Sequence, residues 1–182
     1  MKDSICKMFK NLKIIFTYKN LILIIPLIFL SFAVDKFLKK MILIYFNINP
    51  NPVVLIPNFL NLQLVWNFGI SFSLLENLPH TILIIISLLS LLLIIYLFNL
   101  LFDFNKKYII ISLCLLISGS LSNITDRINY AAVIDYISVS ILGYSFPVFN
   151  LSDIFISISA MILFYDILQK NKIKEKEKEQ EK

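Results

Sequence analysis

The chain has 182 residues, 58% of them apolar and only 16% charged, with a formal net charge of +5 and a mean hydropathy of +0.81. A soluble domain carries about 45–50% apolar and about 25% charged residues, so this composition excludes a water-soluble globular domain and points to an integral membrane protein of one domain's length. Cys6 and Cys114 lie far apart and His80 is the single histidine, which leaves neither a disulfide framework nor a metal-ligand cluster, so no cofactor or metal is expected.

Residues 1–20 form a basic leader containing Lys2, Lys7, Lys10, Lys13 and Lys19. A helix needs about 20 mostly apolar residues to cross a bilayer, and the first such run extends from about Leu21 to Lys39. The leader, the apolar "LILIIPLIFL" and the small-x-small "SFA" also resemble a cleavable secretory signal, but the run is long for one and the charged "VDKFLKK" follows as if ending a span. From Met41 to Pro79 the chain is rich in β-branched and aromatic residues and broken by Pro and Asn. Short strands and turns are expected there, as a platform at the membrane surface carrying Trp66. A second span covers about Thr81 to Phe102, with "TILIIISLLSLLLIIYLF" free of charge, and a third covers about Tyr108 to Ile124. The fourth runs from about Phe149 to Leu168. Residues 169–182, ending in "KIKEKEKEQEK", alternate in sign and read as a solvated, disordered tail.

Positive charge orients the spans. Lysines crowd the leader, the link at Lys106 and Lys107, and the tail. Between Met41 and Thr81, and again between Ile128 and Phe149, there is neither Lys nor Arg. Both termini and the short middle loop are therefore expected in the cytoplasm. Lys36, Lys39, Lys40 and Arg127 fall near outer helix ends, where long side chains snorkel. The expected fold is a four-helix membrane all-α domain over 21–168, with a small extracytoplasmic β-platform at 41–79.

That topology sorts the carboxylates. Asp103 and Asp166 fall on the cytoplasmic side, where charge is easily solvated. Asp35 closes span one, Asp126 closes span three and Asp153 opens span four, with Asp135 in the loop between the last two. Residues distant in sequence thus converge at one membrane depth, where an ionised side chain costs about 2.5–3.5 kcal/mol at a helix centre and marks function by default. Asn123 and Asp126 are three apart, as are Asn150 and Asp153, so each pair shares a helix face. Singly, these have ordinary explanations: Asn150 as a helix N-cap with Asp153 in the first turn, and Asp126–Arg127 as an interfacial ion pair. Together they suggest two carboxylates sharing a proton and activating water, the arrangement of aspartic proteases.

At these residues the sequence resembles lipoprotein signal peptidases, the signal peptidase II family. "VDKFLKK", "VWNFGISFSLL", "SGSLSNITDRINYAAVIDYI" and "FPVFNLSD" are similar, in order, to that family's blocks, the second supplying Asn67, Gly69 and Phe72. Ser118 and Ser122 stand where the family usually has glycines, which bears on how closely span three packs. The resemblance implies Asp135 and Asp153 as the catalytic dyad, with Asp35, Asn67, Gly69, Asn123, Asp126, Arg127 and Asn150 supporting the site or binding substrate. It implies an aspartyl endopeptidase that removes signal peptides from diacylglyceryl-modified prolipoproteins, cutting just before the lipid-bearing cysteine at the outer face of the bacterial inner membrane. Partners would then be prolipoproteins and membrane lipid, not nucleic acid. A small transporter or channel subunit relaying ions through its aspartates is the rival. It would need polar residues along a path through the membrane, whereas span two is almost purely apolar.

Overall fold

The computed structural model describes residues 18–68, 85, 89–90, 92–94, 96 and 106–180. Most of them are helical. In chain order the elements are α1 (Tyr18–Ile48), β1 (Val53–Ile56), β2 (Leu60–Asn67), α2 (Lys107–Tyr130), β3 (Val133–Ile141), β4 (Tyr144–Ser145) and α3 (Leu151–Gln180). Among the described residues, Lys107–Tyr130 and Leu151–Asn171 are long and apolar enough to cross a membrane. The second expected span lies mostly outside the described residues, although Ile85, Leu89, Ser90, Leu92, Leu93, Ile94 and Tyr96 are helical.

The central element is α2. Its Ile109, Ile110, Leu113, Cys114, Ile117 and Ile124 form the buried core with Ile24 and Ile94. The helices around it turn large apolar side chains outward, including Phe29, Leu30 and Phe37 on α1 and Met161, Phe164 and Tyr165 on α3. A soluble protein could not leave so wide an apolar surface uncovered, and a lipid-facing one must.

Helix α1 continues to Ile48, well past the expected end near Lys39. Two charges of "VDKFLKK" do not stop it because they point inward: Ser31, Asp35 and Lys39 recur every four residues on one stripe, and all are buried, while Lys40 stays exposed. Opposite them α2 presents Ser118, Ser122 and Asp126, a second buried stripe of the same spacing. A neighbouring face of α2 meets α3 at Gly119. A Cβ there would lie 2.7 Å from the backbone oxygen of Ser152 and 3.1 Å from Ile156 Cγ1. Serines at 118 and 122 therefore do not loosen the packing. They face elsewhere, and the glycine that contact requires is Gly119.

The sheet corrects the expected platform. It is a four-stranded antiparallel sheet in the order β1-β2-β3-β4, so half of its strands come from the segment between α2 and α3. Asp135, expected in a loop, sits in β3 opposite Val65 of β2. Two features bring it to the start of α3. Ala131 adopts a left-handed conformation at the end of α2 (φ 56°) and its N–H bonds back to the Arg127 carbonyl at 2.9 Å, so β3 begins at once. Phe149 then bridges to Ile137, with N–H donors at 2.8 and 3.0 Å in the two directions, pinning the residue before Asn150 to β3.

The tail also differs. Helix α3 runs through to Gln180 instead of ending near Leu168. Lys and Glu are strong helix formers, and extending an existing helix needs no new nucleus.

Replacing Gly119 by Ala should force α2 and α3 apart at Ser152. We expect a loss of about 1–3 kcal/mol, read as a lower thermal midpoint of the purified protein in detergent. An unchanged midpoint would contradict this packing.

Candidate active site

The site begins at the first turn of α3. Asn150 precedes the helix, and its Oδ1 accepts the Asp153 N–H at 2.9 Å, while Asp153 Oδ2 accepts the Asn150 N–H at 3.2 Å. This is a reciprocal capping box, with Asp in the place usually held by Glu. The helix-start explanation of this pair is thus correct. Having used its oxygen on the helix, Asn150 turns its amide NH2 to Asp135 Oδ1, donating at 2.6 Å. Asn67, at the end of β2, donates to the other oxygen of Asp135 at 2.8 Å. Asn123, one turn beyond Gly119 on α2, donates to Asp153 Oδ1 at 2.9 Å. Three asparagines from three elements hold the two aspartates, and one of them touches both.

Asp135 is 1% exposed. Burial pushes its carboxyl up to about 7, and the charge of Asp153 pushes in the same direction. Hydrogen bonds from Asn67 and Asn150 and the charge of Lys39 pull back. Near neutral pH the pair therefore tends to carry a proton, and a second negative charge is resisted.

Beside the pair lies a second set of charges. Lys39, expected to snorkel to the surface, is 1% exposed and bonds Asp35 Oδ2 at 2.9 Å, Asp126 Oδ2 at 2.7 Å and Asn123 Oδ1 at 2.9 Å. Lys36 pairs with the other oxygen of Asp126. Asp126 is thus neutralised by lysines of α1. The charge of Arg127 couples to Asp153 and Asp135 as well as to Asp126. The Ser122 hydroxyl donates to Asp35 Oδ2 at 2.5 Å, and the Ser152 N–H donates to Asp35 Oδ1 at 3.0 Å. Asp35 therefore ties α1, α2 and α3 together.

Every expected site residue except Gly69, which lies outside the described residues together with Phe72 and Asp103, falls in or beside this cluster. Sequence reasoning missed Lys39, Lys36 and Ser122. The signal for Lys39 was present: an Asp and a Lys four apart on one face of an otherwise apolar helix. Asp166 was misjudged as easily solvated. It is 3% exposed and takes Lys106 at 2.7 Å, Lys170 at 2.9 Å and the Tyr108 hydroxyl at 2.5 Å. This clamp closes the other end of the α2–α3 pair. Among the described residues, no group of three His, Cys, Asp or Glu is placed to hold a metal ion.

Two neutral-amide-held carboxylates, backed by buried ion pairs, can do one chemistry well: one keeps a proton while its partner draws one from water.

Comparison with known proteins identifies the family of the chain. Residues 27–169 match the family model described as signal peptidase (SPase) II. The lipoprotein signal peptidase of Wigglesworthia glossinidia brevipalpis is 39% identical over 140 residues, covering 74% of this chain and 87% of that protein. That of Rickettsia bellii (strain OSU 85-389) is 31% identical over 172 residues, covering 94% and 85%. A solved bacterial membrane enzyme shares the fold at a TM-score of 0.66 and 24% identity, covering 86% of this chain and 91% of the other. The chain belongs to the signal peptidase II family.

Proposed function

We propose that Asp135 and Asp153 are the pair with which this membrane peptidase hydrolyses lipid-modified prolipoproteins just before the lipid-bearing cysteine. The observation that carries this is Asn150. Its side chain bonds both the Asp153 backbone and the Asp135 carboxylate, so the two aspartates are presented together by one rigid helix start. In the reaction, a water between the two carboxylates loses a proton to the ionised one and attacks the scissile carbonyl. The protonated carboxyl hydrogen-bonds the carbonyl oxygen, and a proton later passes to the leaving amine. Asn67 and Arg127 serve to orient the substrate backbone.

We further read the chain as spanning the bilayer four times, with both termini cytoplasmic and the site at the outer face of the inner membrane. Charge spacing supports this. Lys106 at one end of α2 and Asp126 near the other are separated by a helical rise of about 30 Å, the thickness of a hydrocarbon core. Ion-paired clusters sit at both levels and apolar residues between them. The sheet, with Trp66 packed on Tyr130 at a centroid distance of 5.5 Å, would roof the site and the acyl chains of the substrate.

Purified protein incubated with a diacylglyceryl-modified prolipoprotein should release the signal peptide, seen by mass analysis. Asp135→Asn and Asp153→Asn should each lower cleavage by about 10²–10⁴-fold without loss of membrane insertion, and the double variant should be little worse than either. Asp166→Asn, at the far end, should lower the thermal midpoint yet keep the activity of each folded molecule. Near wild-type cleavage by an inserted Asp135→Asn or Asp153→Asn would falsify the assignment.

The proton on Asp135 gives two pH expectations. Cleavage should decline as pH rises through about 7, where that proton is lost. Stability should shift in the same window. A carboxyl raised from 3.8 to about 7 binds more protons folded than unfolded, so its contribution is present below about 4 and fades as pH rises through about 7. The difference in thermal midpoint, wild type minus Asp135→Asn, should therefore fall between pH 4 and pH 8; a constant difference would contradict the shifted carboxyl.

A further inference from the structure

We propose that Lys39 is a positioning residue for cleavage: its ammonium fixes the side-chain amide of Asn123 in the one orientation that donates to Asp153. The inference rests on Asp153 being one of the catalytic pair.

An ammonium has three protons, and all three of Lys39's are used. Two go to Asp35 and Asp126, at 2.9 and 2.7 Å. Those two contacts, with Lys36 also on Asp126, already balance the buried charge. The third goes to a neutral acceptor, Asn123 Oδ1, at 2.9 Å. Neutralisation alone does not require that bond, and it is the one that leads toward the reacting groups.

A carboxamide can be turned over, exchanging its oxygen and nitrogen at little intrinsic cost. Here it cannot. An ammonium only donates, so the Asn123 atom facing Lys39 must be oxygen. Asn150 Nδ2 approaches the same oxygen at 3.4 Å and requires the same assignment. The Asn123 NH2 then points to Asp153 Oδ1, at 2.9 Å. A turned amide would set NH2 against the ammonium and against the Asn150 NH2, and oxygen against a carboxylate. Lys39, 1% exposed, thus holds a donor on Asp153 through Asn123, and acting through another residue is what separates a positioning role from a catalytic one.

Lys39→Met alone would leave two buried carboxylates short of a cation, so it tests folding as much as positioning. The informative variant is Lys39→Met combined with Asp35→Asn, which removes one charge of each sign and keeps the Lys36–Asp126 pair. With Met at 39, an Asn at 35 can still accept from the Ser152 N–H, and the Ser122 hydroxyl can rotate to accept from its NH2. The comparison is with Asp35→Asn alone, using a synthetic diacylglyceryl peptide that spans the cleavage site. We expect the double variant to match or exceed the single one in membrane level and thermal midpoint and to keep its KM, while kcat falls on the order of 10- to 100-fold. On an Asn123→Ala, Asp35→Asn background, adding Lys39→Met should lower kcat no further, because the amide it holds is already gone.

Three results would overturn the proposal: a double variant as active as Asp35→Asn, one that fails to accumulate where Asp35→Asn accumulates, or an equal further loss without Asn123. Asp153→Asn measured in parallel keeps the two claims apart. If it is inactive while the double variant is active, only the role of Lys39 is lost; if Asp153→Asn cleaves normally, the reading of the pair itself has failed.

Discussion

Carboxylates removed from water must be matched where they lie, and the cluster at the start of α3 removes three almost completely: Asp35, Asp126 and Asp135, with Asp153 beside them. An unmatched buried charge costs several kcal/mol. The protein meets that cost in two ways. Asp35 and Asp126 receive lysines from α1, so they stay ionised and bind the helices together. Asp135 and Asp153 receive amide donors and a backbone N–H, which fix the carboxyl groups without committing each to a full charge. The first treatment yields structure and the second yields groups able to exchange a proton. Placing both within one cluster lets the lysine-bound layer hold the amide-bound layer still.

The sequence displayed the polar members of this cluster clearly. Asn150 and Asp153, three apart at the start of an apolar run, could be read as a cap and as a site; the cap is there, and it leaves the Asn150 amide against Asp135. Asn123 and Asp126 were legible as neighbours on α2, though they diverge: Asn123 turns toward α3 and Asp126 toward α1. Lys39 was not legible as a core residue, because a lysine near a helix end in lipid normally reaches for the surface. Only the partner helix, carrying Asp126 and Asn123, makes burial cheaper than snorkelling. The extent of α1 was hidden for the same reason, since charges that would end a lipid-facing helix are harmless when they face a polar stripe. The sheet was half read. The β-rich segment after α1 announced β1 and β2, whereas β3 was passed over because a short loop was expected between two spans, although "VIDYISVSI" is rich in the β-branched and aromatic residues that favour strands.

Gly119 shows how backbone geometry serves the chemistry. Asn123 can reach Asp153 only because α2 and α3 nearly touch one turn away, at a point with no room for a Cβ. The clamp of Asp166 with Lys106 and Lys170 closes the opposite end of the same helix pair. Between these fixed ends, α1 and α3 turn large apolar side chains outward, a surface suited to lipid.

The central claim is that the pair holds one proton at neutral pH, and infrared difference spectroscopy on the protein in lipid reads that proton directly. Wild-type protein at pH 6 should show a protonated carboxyl band that titrates away near pH 7 and is missing from Asp135→Asn. A wild-type spectrum with only ionised carboxylates at pH 6, or a protonated band that survives in Asp135→Asn, would contradict the account.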